Sequence, residues 1–187
     1  MPSVTLTHAI KTARLDLEPI APRHADEAWP HLDDPRMWTF FPSLRPKSCE
    51  NLRAIYELWT NPGHVQGEVR ENWACRDQRT GELVGTMQAT TFPARAVSYI
   101  AYGIFVAFQR QGYAREGVAA VVAHLRDKHK VKQIFAEMDT RNVASFRIAE
   151  SLGFRRAETR RAVDRGHGVA GDEYLYVFTV PSRMTRE

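Results

Sequence analysis

The chain has 187 residues, 43% of them hydrophobic, with 26 Lys and Arg against 22 Asp and Glu, a formal charge of +4 and a sequence pI near 9.3. This is enough chain to bury one core, and it reads as a single domain spanning 1–187 with its core over about 12–180. No run nears the roughly 18 apolar residues of a membrane span, residues Met1 to Lys11 lack the apolar centre of a signal peptide, and Cys49 and Cys75 carry no metal spacing, so the reading is a cytoplasmic protein with reduced thiols and no membrane partner.

Thr12 to Pro19 alternates Leu15 and Leu17 against Arg14, Asp16 and Glu18, the pattern of a half-buried strand. Arg23 to Leu32 reads as a short helix that Pro30 must bend or end. Ser48 to Thr60 reads as a second, with Ser48 as N-cap, Leu52, Ile55, Tyr56 and Trp59 at helical spacing, and Asn61-Pro62-Gly63 as terminator. Val69 to Asp77 and Glu82 to Thr91 form a hairpin about Gln78-Arg79-Thr80-Gly81. A third strand, Val97 to Val106, runs toward Gly112. The helix Tyr113 to Lys128 then buries Val118, Val121, Val122 and Leu125. Gln133 to Met138 is a strand. Asn142 to Leu152 is a helix ended by Gly153 in the left-handed position. Strands Arg156 to Val163 and Glu173 to Val180 close the chain, joined by the Gly-rich Gly166 to Gly171. The expected fold class is α/β, a mixed α+β sandwich: a central mixed, twisted sheet of about six to seven strands flanked by about four helices.

The segment Gln109-Arg110-Gln111-Gly112-Tyr113-Ala114 joins a strand to a helix through a glycine turn. Such a turn lets backbone N–H groups converge, and the helix N-terminus adds about half a positive charge, so the layout suits a phosphate. Ala114 is small enough for close approach. Arg115, just inside the helix, can add a charge-assisted contact. The other reading of Gly112 is a plain strand–helix turn. A dinucleotide-binding layout is disfavoured, because it wants its Gly-rich turn after the first strand, not in mid-chain. The late arginines Arg141, Arg147, Arg155, Arg156, Arg160, Arg161 and Arg165 lack any aromatic-interleaved RNA motif or DNA-binding motif, so they read as a solvated face or a polyphosphate site, not a nucleic-acid surface.

Together these residues resemble the GNAT superfamily of acyl-CoA-dependent N-acyltransferases. The resemblance rests on Gln109, Gly112 and Ala114, on Asn142-Val143-Ala144-Ser145, and on Leu152-Gly153-Phe154. The opening Thr12-Ala13-Arg14-Leu15-Asp16-Leu17 and Asp33-Asp34-Pro35 resemble the Rim-type branch, which acetylates ribosomal-protein N-termini. Ala107-Phe108 departs from the Pro-Glu pair that the branch often carries. The resemblance implies acetyl-CoA as co-substrate, held by Ile104, Phe105 and Val106 along the pantetheine arm, by Gln109, Arg110, Gln111, Gly112, Tyr113, Ala114 and Arg115 at the pyrophosphate, and by Asn142, which also reads as the N-cap of its helix. It implies transfer to a primary amine, a protein N-terminus or a small molecule, by direct attack. A non-catalytic acyl-CoA sensor module is the alternative, and a homodimer stays open.

Amine acylation expels a thiolate and needs a free amine. Ser145, one turn into its helix, is the proton donor that the resemblance implies; an ordinary helix serine is the alternative. Asp164 is the first candidate base, ahead of His167, Glu158, Asp172 and Glu173; its other reading is a turn aspartate before Gly166. Trp38, Phe40 and Phe41 suggest an acceptor wall, and Asp33, Asp34, Asp164, Asp172 and Glu173 an acidic lining. No metal is expected: His124 and His129, five apart, would stand on divergent faces of a helix.

Overall fold

The computed structural model describes residues 7–41, 45–60, 67–164 and 170–181. Its strands are β1 (Ile10–Lys11), β2 (Leu15–Pro19), β3 (Val69–Asp77), β4 (Leu83–Phe92), β5 (Val97–Ile104), β6 (Gln133–Asp139), β7 (Arg155–Asp164) and β8 (Ala170–Thr179). They form one sheet in the order β1-β2-β3-β4-β5-β6-β8-β7. Only β5 and β6 run parallel. The eighth strand, beyond the expected six or seven, is β1, which pairs Ile10 with Leu17 and Lys11 with Asp16 and is too short to show a period.

Among the described residues, four α-helices cover the two faces. α1 (His24–Leu32) and α2 (Cys49–Thr60) pack Ala25, Ala28, Leu32, Leu52 and Tyr56 on one side. α3 (Tyr113–Lys128) and α4 (Val143–Ser151) pack Val118, Val121, Leu125 and Ala149 on the other. β3 shows why both faces need cover. Trp73 and Cys75 point into the α3 core and Ala74 into the α1–α2 core, so the strand is buried on both sides.

Pro30 does not end α1; the helix runs on to Leu32. The proline lies in the last turn, where its missing N–H costs a single bond and little helix remains to disturb. At the end of α4, Gly153 takes φ +90°, its N–H donates to the Glu150 carbonyl and that of Phe154 to the Ala149 carbonyl. These bonds satisfy the terminal carbonyls and turn Phe154 onto the core, where it is 3% exposed. The turn after β3 is held by Asp77, whose Oδ1 accepts from the N–H groups of Arg79 and Thr80 at 2.8 and 2.9 Å.

One irregularity positions the site. β5 pairs with β6 only where Val97–Tyr99 meet Gln133–Phe135. β5 continues to Ile104 against β4, while β6 continues to Asp139 against β8. The two parallel strands therefore part toward their C-terminal ends, one leading to α3 and the other to α4. In open α/β sheets this is where ligands bind.

Candidate active site

On the β5 side, the strand stops at Ile104 instead of Val106, and Val106–Phe108 form one 3-10 turn. The Phe105 N–H donates to the Val84 carbonyl at 2.9 Å, so it faces β4. Backbone groups alternate along an extended chain, so Ile104 turns toward the open cleft instead, while Val106 already belongs to the 3-10 turn. Phe105 itself is 1% exposed and stacks on His31 at 4.9 Å, which makes it a packing residue and not a lining one. Gln109 spends its side chain on the Ile104 carbonyl (3.0 Å) and its N–H on Val106 (3.3 Å), bracing the turn.

The turn then alternates left-handed residues: Arg110 at φ +63° and Gly112 at φ +86°. Among the described residues, no backbone N–H from Arg110 to Arg115 has a protein acceptor. Successive unpaired N–H groups at a helix N-terminus form an anion-binding concavity. Arg115 donates Nε to Ser151 Oγ at 3.2 Å and has no ion-pair partner among the described residues. Ala114 is half-buried. Tyr113 faces inward, its hydroxyl donating to the Asp77 carboxylate, so its side chain anchors the helix and only its N–H faces the concavity.

Two supports of this turn were not foreseen in the sequence. Arg14 donates Nη1 to the Gln111 carbonyl (3.0 Å) and Nε to Glu116 (2.7 Å), and lies 4.9 Å over the Tyr113 ring. Glu116 also accepts from Thr12 Oγ1 (2.6 Å) and from the Arg14 N–H (2.8 Å). Partial burial alone would raise the Glu116 carboxyl; the Thr12 and Arg14 hydrogen bonds outweigh it and hold the group below its ordinary range.

On the β6 side, Asn142 caps α4, its Oδ1 accepting from the Ser145 N–H at 3.2 Å. The Asn142 amide NH2 has no protein partner among the described residues. Ser145 Oγ donates to the Tyr102 hydroxyl at 2.9 Å, and Tyr102 donates to the Ser145 carbonyl at 3.0 Å. Tyr102 belongs to the stretch of β5 that pairs with β4 but no longer with β6, so this pair bridges the two arms of the cleft. Burial pushes the Tyr102 phenol up, partly offset by the Ser145 bond.

Above the cleft, the Phe41 ring packs on Gly103, where an added Cβ would meet it at 2.6 Å, and Arg141 sits 6.0 Å over Phe40. Trp38 and Phe41 contact at 5.7 Å. The aromatic segment thus reaches both β5 and the head of α4.

Residues 14–155 match the family described as the acetyltransferase (GNAT) domain. The chain belongs to the GNAT acetyltransferase family. It is similar to the uncharacterized protein YkkB of Bacillus subtilis, 28% identical over 133 residues that cover 69% of this chain and 74% of that one. In fold, this GNAT chain resembles the GNAT-family acetyltransferase of Bacillus anthracis (TM-score 0.78, 19% identity, 92% and 98% of the two chains). It also resembles the Salmonella typhimurium acetyl transferase that modifies the N-terminal serine of a 50S ribosomal subunit protein (TM-score 0.79, 17% identity, 93% and 100%). A ribosomal-protein acetyltransferase in complex with coenzyme A has TM-score 0.78 at 18% identity, over 92% and 98%.

The acceptor side of this GNAT domain is less complete. Asp164 pairs with Ala170 in backbone register, while its side chain and His167 lie outside the described residues. Glu158 is tied to Arg160 at 3.1 Å, and Asp172 accepts from Arg161 at 3.0 Å. Asp33 and Asp34 are held by Arg45 and Arg36, so their charge is already matched. The late arginines are largely matched too: Arg141 pairs with Asp139 and Arg160 with Glu137, and Arg156 lies 4.6 Å over Tyr174.

One spacing argument fails. His124 and His129 do not diverge; their rings lie 5.4 Å apart, and both reach Glu71. His129 is the cap of α3 and keeps its N–H on the Leu125 carbonyl, so the backbone does not bring the rings together; both imidazoles reach across to the one buried Glu71 carboxylate, which a count of helical rotation ignores.

Proposed function

We propose that this protein transfers the acetyl group of acetyl-CoA to a primary amine by direct attack in the β5–β6 cleft. The observation that carries the reading is the meeting, at one end of the sheet, of the unpaired N–H turn after β5 and the Ser145–Tyr102 pair at the head of α4. Coenzyme phosphates suit the N–H groups of Arg110 to Arg115, with Arg115 supplying charge. The edge of β5 at Ile104, with Val106 following in the turn, offers the pantetheine arm backbone groups, and the Asn142 amide offers a further donor. The thioester then falls beside the Ser145–Tyr102 pair: the Ser145 O–H turns from Tyr102 to the departing sulfur, the Tyr102 O–H turns from the Ser145 carbonyl to Oγ and returns a proton to it as the thiolate takes one, and water restores the proton to Tyr102.

Direct attack fits the cysteines. Cys75 is wholly buried, and burial pushes its thiol up. Cys49, on α2, bonds the Ala25 carbonyl and Asp26; desolvation, then Asp26, raises its thiol as well. A nucleophilic cysteine needs the opposite shift. Asp164 is the proposed base. Its support is the strand register: β8 extends past Asp139, the last residue of β6, and Asp164 opposes Ala170 at that end, where α4 begins.

The acceptor is a peptide N-terminus or a small amine. The test follows free-thiol release from acetyl-CoA with a panel of a serine-initiated peptide, polyamines, aminoglycosides and amino acids. The serine peptide is included because one structural neighbour modifies such a terminus. Amine-dependent thiol release supports the reading. Coenzyme binding without turnover on any amine would instead identify an acyl-CoA sensor.

A further inference from the structure

At the opposite end of α3 lies a cluster that acetyl transfer does not use. Glu71, third residue of β3, is 0% exposed and shares its face with Trp73 and Cys75. His124, in the last turns of α3, brings Nε2 to 3.0 and 3.2 Å from the two Glu71 oxygens. His129, the cap of the same helix, brings its Nε2 to 2.7 Å from Oε2. The ligand atoms all lie within 4.8 Å of one another. α3 has 16 residues, so at 1.5 Å per residue the cluster stands about 24 Å along the helix from Gly112.

We propose that Glu71, His124 and His129 bind a divalent transition metal of the zinc class, which pins β3 to the end of α3. The ligand chemistry selects the ion. Two imidazole nitrogens and one carboxylate oxygen suit zinc and its neighbours, whereas calcium and magnesium want oxygen shells. The geometry is near what is needed. Ligand bonds of 2.0–2.2 Å in a tetrahedron put donor atoms about 3.3 Å apart. The carboxylate–imidazole separations of 2.7 to 3.2 Å must open by about 0.1–0.6 Å to reach that value, and the two imidazole ligand atoms, within 4.8 Å of each other, must close toward it.

Charge gives a second reason. A fully buried carboxylate needs a compensating cation, and the Glu71 partners given among the described residues are two imidazoles. A proton on one imidazole is the rival occupant; two protonated rings 5.4 Å apart would repel each other. Access is available as well. The His124 and His129 side chains keep 11% and 12% of their surface exposed, which leaves a route for the ion and a solvent-side fourth position for water. The edge of Trp73 against His124, 5.6 Å between ring centres, shields the inner side.

The test uses tag-free, chelator-stripped protein titrated with Zn2+, and separately with Co2+ as an optical probe. The expected result is one equivalent per chain, visible bands of low-symmetry Co2+, and a Tm rise of about 5–10 °C at a hundredfold excess over Kd. Glu71→Gln should lose all three. Because Glu71 is fully buried and its loss can disturb folding, His129→Gln at the helix end is the second variant, with its fold verified by near-ultraviolet circular dichroism. It should lose the stoichiometric site. Absence of a Zn2+-dependent Tm shift in the parent would overturn the proposal, as would an equal stoichiometry and shift in folded His129→Gln, which would assign binding to other surface histidines.

Discussion

Gly112 offers the sharpest perturbation of the coenzyme side. It adopts φ +86°, ψ −2°, and a Cβ there would stand 3.2 Å from Arg14 Nη2. The guanidinium tip can swing aside, so the main cost of Gly112→Ala is backbone strain, about 1–2 kcal/mol for an L residue in the left-handed region. If the turn keeps its shape, Tm falls by about 2–8 °C. If it relaxes, the N–H groups lose convergence and the Kd for coenzyme A rises about 5- to 30-fold, at 1.4 kcal/mol per decade. Gly112→Glu adds a negative charge to the cradle. At about 5 Å and an effective dielectric of 20, its repulsion of one phosphate charge is about 3 kcal/mol, a further loss of roughly 100-fold. Titration calorimetry with coenzyme A on both variants, after circular dichroism confirms folding, measures the two effects separately. A folded Gly112→Glu protein that binds within about twofold of the parent would refute the phosphate cradle.

On the transfer side, Ser145→Ala should lower kcat by about 10- to 1000-fold with little change in coenzyme affinity. Tyr102→Phe should also lower kcat, and the double variant should lose less than the two effects combined, because the hydroxyls act as one unit; unchanged turnover in steady-state kinetics would leave Ser145 a structural residue. Asp164→Asn should depress turnover more at low pH than at high pH, where free amine is abundant without a base. A flat variant-to-parent ratio from about pH 6 to pH 9 would remove Asp164 from that role. Glu116 has its folded carboxyl held below the ordinary 4.5, so its contribution to stability is complete above that value and is lost as pH falls through the lowered one. Thermal melts should therefore separate Glu116→Gln from the parent at neutral pH, and the gap should close in acid.

Local chemistry alone made several features legible. Val118, Val121, Val122 and Leu125 mark the buried stripe of α3, because a helix that packs on a sheet must repeat its apolar residues near 3.6. Gly112 and Gly153 mark the two helix boundaries, because each must adopt a backbone angle that other residues resist. Asn142 announced a cap that the structure supplies. These signals lie within one turn or one strand of the residues they concern.

What needed the tertiary structure was every pairing across distance. Nothing near Tyr102 in the chain indicates that its hydroxyl meets Ser145; the splay of β5 from β6 decides it. Arg14 reads as one polar residue on an alternating strand, yet it braces a turn 97 residues away. The strand boundary at Ile104 depended on how far β4 and the Val106 turn extend, and the eighth strand on a two-residue pairing. The histidine spacing misled because a periodic rule counts only rotation about the helix. His129 still caps the helix with its N–H on Leu125, and a buried carboxylate from β3 draws the two rings together. Sequence period reports which face of an element is buried; only packing decides which side chains meet there.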